Sequence, residues 1–394
     1  MATQAAELLR GSALEQRRAI TICHFTTAHT TLKSRSFHRE FLPLAAGGIG
    51  VRYVAPMAAP ARRDGVDFIS LPQPENRLRR IFGPVTLLEK LLRQRASLYH
   101  FQDPQLLPLA FLLKLVFRRR VVYDAYEDFP SMAASSPRIP RVLRRAAAKI
   151  VAAVEKLAAR SFDGIVTADP FTLRRLAHAG RNKKLVFYNF PNLDFFPHPP
   201  PRAKHFDVVY RGGISHRAGT FVLLDAVRLL STRAKPPRLL LIGYFDGPAA
   251  EREVRERIRA LGLESSVEIR GRLDHEDMAE ALGDARIGVC PLQPVPKFLL
   301  NIPVKIFEYW ACGLPVIASD LPPVRPFIRN SQAAFLFRPE SSTELARSIA
   351  WLLNRPRWAA RMGAYGREFV VRRFNNQGEV HRLRNFCERI AQMQ

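Results

Sequence analysis

Short apolar segments that end in polar or glycine-bearing tips alternate with helical stretches along almost the whole chain. "AITICHF" (19–25) reads as a strand, 35–47 as a helix, and "IGVRYVAP" as the next strand. "ASLYHFQDP" is a strand with a polar tip, "LLPLAFLLKLVF" a helix, and "RRVVYDAYED" a strand with an acidic tip. "DGIVTAD" and "KLVFYNF" repeat the pattern. Strands separated by helical segments demand a parallel sheet with helical crossovers, an α/β architecture. The proline-rich stretch "FPNLDFFPHPPPRAKH" (190–205) can continue neither a helix nor a central strand, so it reads as a linker. After it the alternation restarts with "FDVVYRGG", "TFVLLDAVRLL" and "RLLLIG". The chain is therefore expected to form two Rossmann-like, doubly wound parallel-sheet domains facing a cleft. The expected boundaries are a first domain over 1–195, a linker over 196–205 and a second domain over 206–365. A C-terminal helix over 366–394 is expected to pack back on the first domain. Ligands of such sheets bind beyond the carboxyl ends of the strands.

Charge narrows the partners. Lys and Arg number 61 against 35 Asp and Glu, a formal net charge of +26. The excess is spread along the chain, which fits a solvated arginine-rich surface. It also fits a phosphorylated ligand or an anionic membrane surface. No helix-turn-helix, zinc finger or aromatic-basic RNA motif accompanies it, so nucleic acid is not an expected partner. Cysteines at 23, 290, 312 and 387 match no zinc spacing, and no metal site is expected. Residues 1–20 hold no apolar core of a secretory signal, and "LLPLAFLLKLVF" is too short to span a bilayer. A cytoplasmic protein is expected, at most peripheral at the inner membrane face. Between Arg138 and Phe162 a basic amphipathic helix carries Arg141, Arg145, Lys149, Lys156 and Arg160 on one stripe. It reads either as an outer helix with a solvated face or as a membrane-surface helix that brings the protein to a lipid-linked acceptor.

Two stretches could carry chemistry. "VVYRGGISHRAG" puts Gly212 and Gly213 after a strand and Arg217 before a helix. Glycines admit close backbone approach, a helix start favours anions, and an arginine can bind phosphate. The plain alternative is a strand–turn–helix with a solvated arginine. "NIPVKIFEYWACG" puts Pro303 at a helix start, with Lys305 and Glu308 on one face. The plain alternative is an i,i+3 salt bridge. The functional one has Lys305 and the helix start gripping a diphosphate while Glu308 accepts a ribose diol.

"P-x-K-x-x-E-Y-x-A-x-G-L-P-V-I-A-S-D", from Pro303 to Asp320, resembles the donor-nucleotide motif of GT-B glycosyltransferases, especially family 4 (the bacterial glycosyl transferases group 1 type). The likeness runs colinearly over nearly the whole chain and includes "LYHFQDPQLLPLAFLLK" and "VVYDAYEDFP". It implies sugar transfer from a nucleotide-diphosphate donor to a glycan or lipid-linked acceptor, with retention and without a bound metal or cofactor. Within it, Glu308 holds the ribose and Lys305 and Arg217 face the phosphates. Backbone at Asn301 and Ile302 meets the donor sugar or phosphate, and Gly271 and Arg272 lie near the base. Glu308→Ala is then expected to weaken donor binding without unfolding the chain. Arg35 and His38 match the family's opening stretch, on the acceptor side, although His38 also suits a helix interior.

His100, Asp103, Asp124 and Glu127 sit at predicted strand ends of the first domain, where a carboxylate either orients an acceptor hydroxyl or caps the next helix. The resemblance implies that a histidine at position 126 would sit near the reacting sugar; Tyr126 there can hydrogen-bond but is a poor base at neutral pH. With Asp103, Glu127, Arg217 and Lys305 it completes the catalytic candidates. The chain departs from the family at Leu300 (usually glutamate), Ala218 (usually basic), Gln102 and Tyr126 (usually histidine). These departures support an alternative, a non-catalytic GT-B partner protein that binds a nucleotide or glycan.

Overall fold

The computed structural model describes residues 20–27, 36–57, 59–71, 77–136, 139–176, 180, 183–197, 203–232, 234–329 and 331–393. The chain divides into two compact units, one running to Phe187 and resuming at Val380, the other spanning Tyr188–Glu379.

The first unit is built on β1 (Thr21–Phe25), β2 (Gly50–Pro56), β3 (Ala61–Arg63), β4 (Val66–Leu71), β5 (Leu98–Phe101), β6 (Val121–Ala125), β7 (Gly164–Thr167) and β8 (Lys184–Val186). Their order is β3-β4-β2-β1-β5-β6-β7-β8, with every pair parallel except β3–β4. Strands covered on both faces need near-continuous apolar sequence. "LYHF" of β5 and "VVYDA" of β6 are accordingly buried at every position, including their polar members. The β3–β4 hairpin escaped the sequence reading. Asp64 and Gly65 turn it, both in left-handed backbone (φ 52° and 78°), the geometry of a tight two-residue hairpin. The helix expected over 35–47 opens with a π-helical turn, Phe37–Phe41, before Leu42–Ala46.

The second unit holds β9 (Phe206–Ile214), β10 (Leu239–Phe245), β11 (Val267–Arg270), β12 (Ala285–Cys290), β13 (Val316–Ser319) and β14 (Ala334–Phe337). All pairs are parallel, in the order β11-β10-β9-β12-β13-β14. The doubly wound α/β class expected from the alternation is the class observed. Residues 366–394 contain the end of one helix, Pro356–Arg372, and a second, Asn376–Gln392. Leu383, Phe386, Cys387 and Ile390 of that last helix join the core of the first unit with Ile22, Val51 and Val122. The predicted linker is described only at its two ends, because 198–202 lie outside the described residues.

All four cysteines are buried and none is disulfide-bonded. Burial pushes the thiols of Cys23, Cys312 and Cys387 up to about 12 and that of Cys290 to about 11. They are packing residues, inert at neutral pH. No described helix is long and apolar enough to cross a membrane.

Candidate functional site

In the second unit β9 lies between β10 and β12, so the strand order reverses there. Crossovers leave such a point in opposite directions and open a space beyond the strand ends. A pocket of about 230 Å³ occupies that place. Tyr210, Gly212, Gly213, Ser215, Arg217 and Ala218 line it from β9 and its loop, and Tyr244 and Asp246 from the end of β10. Leu292, Lys297, Phe298, Asn301, Ile302, Pro303 and Lys305 close it from the segment after β12.

Lys305 is fixed by an aromatic neighbour. Its Nζ donates to Tyr210 Oη at 3.0 Å and stands 4.2 Å from the ring centre. The Tyr210 hydroxyl in turn donates to the Gly213 carbonyl at 2.7 Å. Burial pushes this phenol up and the nearby lysine draws it partly back, so the tyrosine stays neutral. Gly212 makes the approach possible: φ is 134°, and a Cβ there would fall 2.9 Å from Lys305 Nζ. Gly213 has no such need, since a Cβ would meet its nearest neighbour, Tyr244, at an ordinary 3.7 Å.

Arg217 is tethered to Asp246, with Nε and Nη2 each 2.9 Å from Oδ2. Two residues on, Gly219 adopts φ 79° and precedes the helix Thr220–Leu230. A Cβ at Gly219 would lie 1.7 Å from the Pro291 carbonyl, so only glycine lets this loop seat against the end of β12. Three cations, Arg217, Lys297 and Lys305, thus face a pocket whose one lining carboxylate, Asp246, already holds Arg217. The buried Ser215 hydroxyl lines the same space and has no hydrogen-bond partner among the described residues. Positive charge and an unused donor suit an anion.

The other expected donor residues divide. Asn301 and Ile302 line the pocket with Gly212, Gly213, Arg217 and Lys305. Glu308 does not. Its carboxylate is fully buried, accepting from Arg211 Nη2 at 2.9 Å with Arg211 Nε 2.8 Å from the other oxygen. The i,i+3 pairing of Glu308 with Lys305 gives way to this longer-range pair, because the lysine turns to Tyr210. The helix Lys305–Ala311 has only seven residues, so its dipole adds little beside the charge of Lys305. Arg272 reaches the pocket indirectly, its guanidinium 4.2 Å from the ring centre of Tyr244, a lining residue. Gly271 is exposed and a Cβ there would meet nothing within 4 Å.

The first unit also reverses strand order, between β1 and β5. There His24 and His100 are register partners and their Nδ1 atoms lie 3.0 Å apart, so one ring donates and the other accepts. The Gln102 amide donates to Asp124 Oδ2 at 2.6 Å and lies 3.3 and 3.4 Å from the two Glu40 oxygens. Glu40, His100 and Asp124 bring one potential metal-ligand atom each within 4.8 Å of one another. The amide NH2 of Gln102 thus reaches both carboxylates. His24, Glu40, His100, Gln102 and Asp124 are all buried. Asp103, also buried, accepts from the Thr26 hydroxyl at 2.7 Å and the Thr27 amide at 2.9 Å, which locks the turn after β1.

Among the remaining first-domain candidates, Tyr126 and Glu127 are half-buried after β6, Tyr126 with its ring edge-on to Phe129 at 5.4 Å. His38 packs edge-on against Phe37 at 5.1 Å. Arg35 lies outside the described residues. Sequence reasoning missed Ser215, Tyr244 and Lys297 in the pocket and Glu40 in the buried cluster. Lys297 follows the tip of the strand beside β9, a position the parallel topology marks. Glu40 looks like a solvated helix residue until the π-helical turn points it inward.

Residues 205–355 match the family model described as Glycosyl transferases group 1. Over 175 residues the chain is 30% identical to the phosphatidyl-myo-inositol mannosyltransferase of Mycobacterium leprae (strain TN), covering 44% of each sequence. The chain spans less than half the length of the curated relatives it matches. A sucrose-phosphate synthase from Thermosynechococcus elongatus superposes with a TM-score of 0.74 at 18% identity, covering 94% of this chain and 99% of that one. Anabaena HepE in complex with UDP and glucose gives 0.72 at 15% identity, over 95% and 100%. At such identities the likeness is one of fold, and the fold is GT-B.

Proposed function

From the premise that residues 205–355 belong to the glycosyl transferases group 1 family and that the chain has the GT-B fold, we propose that this protein is a glycosyltransferase. It moves a sugar from a nucleoside-diphosphate donor to a glycan or lipid-linked acceptor, with retention of configuration, in polysaccharide or glycolipid assembly. The observation that carries the reading is the convergence of Arg217, Lys297, Lys305 and the unpartnered Ser215 hydroxyl on one pocket at the β9 reversal point.

Departure of a nucleoside diphosphate leaves negative charge on the phosphates. Charge-assisted bonds from Lys305, Lys297 and Arg217 stabilise it, at about 1.5–3 kcal/mol each. Ser215 supplies a neutral donor to a phosphate oxygen. With these cations fixed in place, the reaction needs neither a divalent metal nor a cofactor. Asn301 and Ile302 meet the donor sugar or phosphate, and Tyr244 with Arg272 and Gly271 forms the base side. Glu308 accepts the ribose hydroxyls only after Arg211 gives way, so donor binding and the Arg211–Glu308 pair compete. In the first domain Arg35 and His38 are assigned to the acceptor. His100 and Asp124, both buried, are assigned to the same acceptor side, and Asp103 with Tyr126 and Glu127 to the reacting centre. The setting is the cytoplasm, with the protein peripheral at the inner membrane face.

A thermal-shift panel of UDP, GDP and ADP and their sugar conjugates, without and then with magnesium, tests this. Ligands of the folded state raise its melting temperature by mass action. A selective shift that magnesium does not alter is expected. No shift with any nucleotide would end the donor assignment, and a shift appearing only with magnesium would end the metal-independent one.

A further inference from the structure

The helix Arg144–Ser161 carries large apolar residues on its outer face as well as on the face it packs against the core. A surface helix normally turns its large apolar side chains to the core. Here that face holds Val151 and Val154, partly buried against the core, with Glu155, Ala158 and Ala159 fully buried. Val142, in the preceding turn, is 88% exposed, Ile150 63% and Leu157 53%. Ala146 and Ala153 are exposed too and complete the stripe 142-146-150-153-157, the spacing of one helical face. Beside it run Arg141, Arg145, Lys149, Lys156 and Arg160, all exposed. Glu155 is the one acidic residue of the helix and it is turned inward, accepting from Tyr123 Oη at 2.8 Å and paired with Arg175. The outer face is therefore apolar and cationic, with no acidic side chain on it.

The neighbouring helix Leu107–Leu115 extends this character. It packs alongside through Phe111 on Phe162, ring centres 4.8 Å apart, and through the Lys114–Asp163 ion pair at 2.7 Å. At its end Leu115 is 66% and Val116 63% exposed, followed by the exposed Arg118. A second copy of the chain is a poor occupant, since two such faces would bring their cations together. An acidic protein or nucleic acid would use the cations and leave the apolar stripe in water. An anionic lipid surface uses both, with headgroups meeting Lys and Arg while Ile150 and Leu157 enter the acyl boundary.

We propose that the outer face of the helix Arg144–Ser161, with the exposed end of the helix Leu107–Leu115, docks in the plane of an anionic lipid surface. The inference sharpens the membrane-surface part of the proposed function and does not depend on the transfer chemistry. The full chain is sedimented with phosphatidylcholine vesicles, with and without phosphatidylglycerol. Binding is expected only with the anionic lipid. Ile150→Ser/Leu157→Ser is expected to weaken it about tenfold or more. Lys149→Gln/Lys156→Gln is expected to weaken it about fivefold per lysine. Both pairs are exposed, so the variants fold. An Ile150→Trp probe is expected to shift its emission to the blue on vesicle binding. Equal binding to both vesicles, no binding, or full retention by the Ile150→Ser/Leu157→Ser variant would each overturn the proposal. Retention would instead mark a purely electrostatic partner such as an acidic protein. Nucleotide binding by the same variants, measured in parallel, reports on the other domain, so loss of one reading leaves the other standing.

Discussion

The two sheets reverse strand order in the same way, and the two reversal points are finished in opposite ways. At β1/β5 the strands and the loops after them carry His24, His100, Gln102 and Asp103. His24 bonds His100 and Gln102 bridges Asp124 and Glu40, and Phe41 and Tyr53 pack on the His24 ring at 4.5 and 4.6 Å. At β9/β12 the strand tip is Gly212-Gly213 and the loop continues through Ser215 to Ala218, so the space stays open and cations line it. Topology creates a vacancy at each sheet; side-chain length at the strand tips decides whether the protein fills it or leaves it for a ligand.

That contrast can be attacked by substitution, beginning with the largest effect. Gly219→Ala puts a Cβ 1.7 Å from the Pro291 carbonyl in left-handed backbone, and should cost more than about 3 kcal/mol in urea unfolding of the second domain. Wild-type stability would mean the loop is not seated as described. Glu308→Ala leaves Arg211 in a half-buried site without its carboxylate, a loss of about 3 kcal/mol. A loss of that size is below the stability of an ordinary domain, about 5–15 kcal/mol, so the chain is still expected to fold. Pairing it with Arg211→Met should restore much of the stability and none of any ribose contribution, which separates the two roles by denaturation and nucleotide titration. Asp103→Ala strands the Thr26 hydroxyl and the Thr27 amide, and should cost the first domain about 2 kcal/mol. UDP affinity should not change; if it does, the first-domain cluster is not merely structural.

Lys305→Ala should leave the melting temperature within a degree or two, on the order expected for a half-buried surface change. Its nucleotide affinity should fall about tenfold or more by calorimetry, the value of one charge-assisted bond. An unchanged affinity would remove the open pocket from the phosphate site. The smallest effect belongs to Arg217→Ala, because Arg217 is half-exposed and already paired with Asp246. About threefold weaker binding at low salt, vanishing at high salt, is expected from a screened surface charge. An effect as large as that of Lys305→Ala would show that Asp246 releases the arginine to the ligand.

Much of the second domain was legible because its signals are local. Gly-Gly near the end of a strand, Arg217 before a helix and a lysine after Pro303 each stand within a few residues of an element's end. Asn301 and Ile302 entered the site by resemblance and do line the pocket. Ser215 and Lys297 carried no local signal, since a serine in a loop and a lysine between prolines look solvated until two distant segments close around them. The same limit hid the amphipathic helix's true orientation. Its basic stripe was visible, yet which residues face inward, Val151, Val154, Glu155, Ala158 and Ala159, was settled only by packing on the first-unit core.

Periodicity and strand-tip chemistry in the sequence alone determined that this protein is two doubly wound α/β domains with phosphate-suited residues after β9. The tertiary structure alone decided which polar residues pair. Glu308 left its helix neighbour Lys305 for Arg211, 97 positions away in the chain, and Glu40 met Gln102 across 62. A charge in a low-dielectric interior takes the partner that completes its hydrogen bonds, and chain distance does not limit that choice.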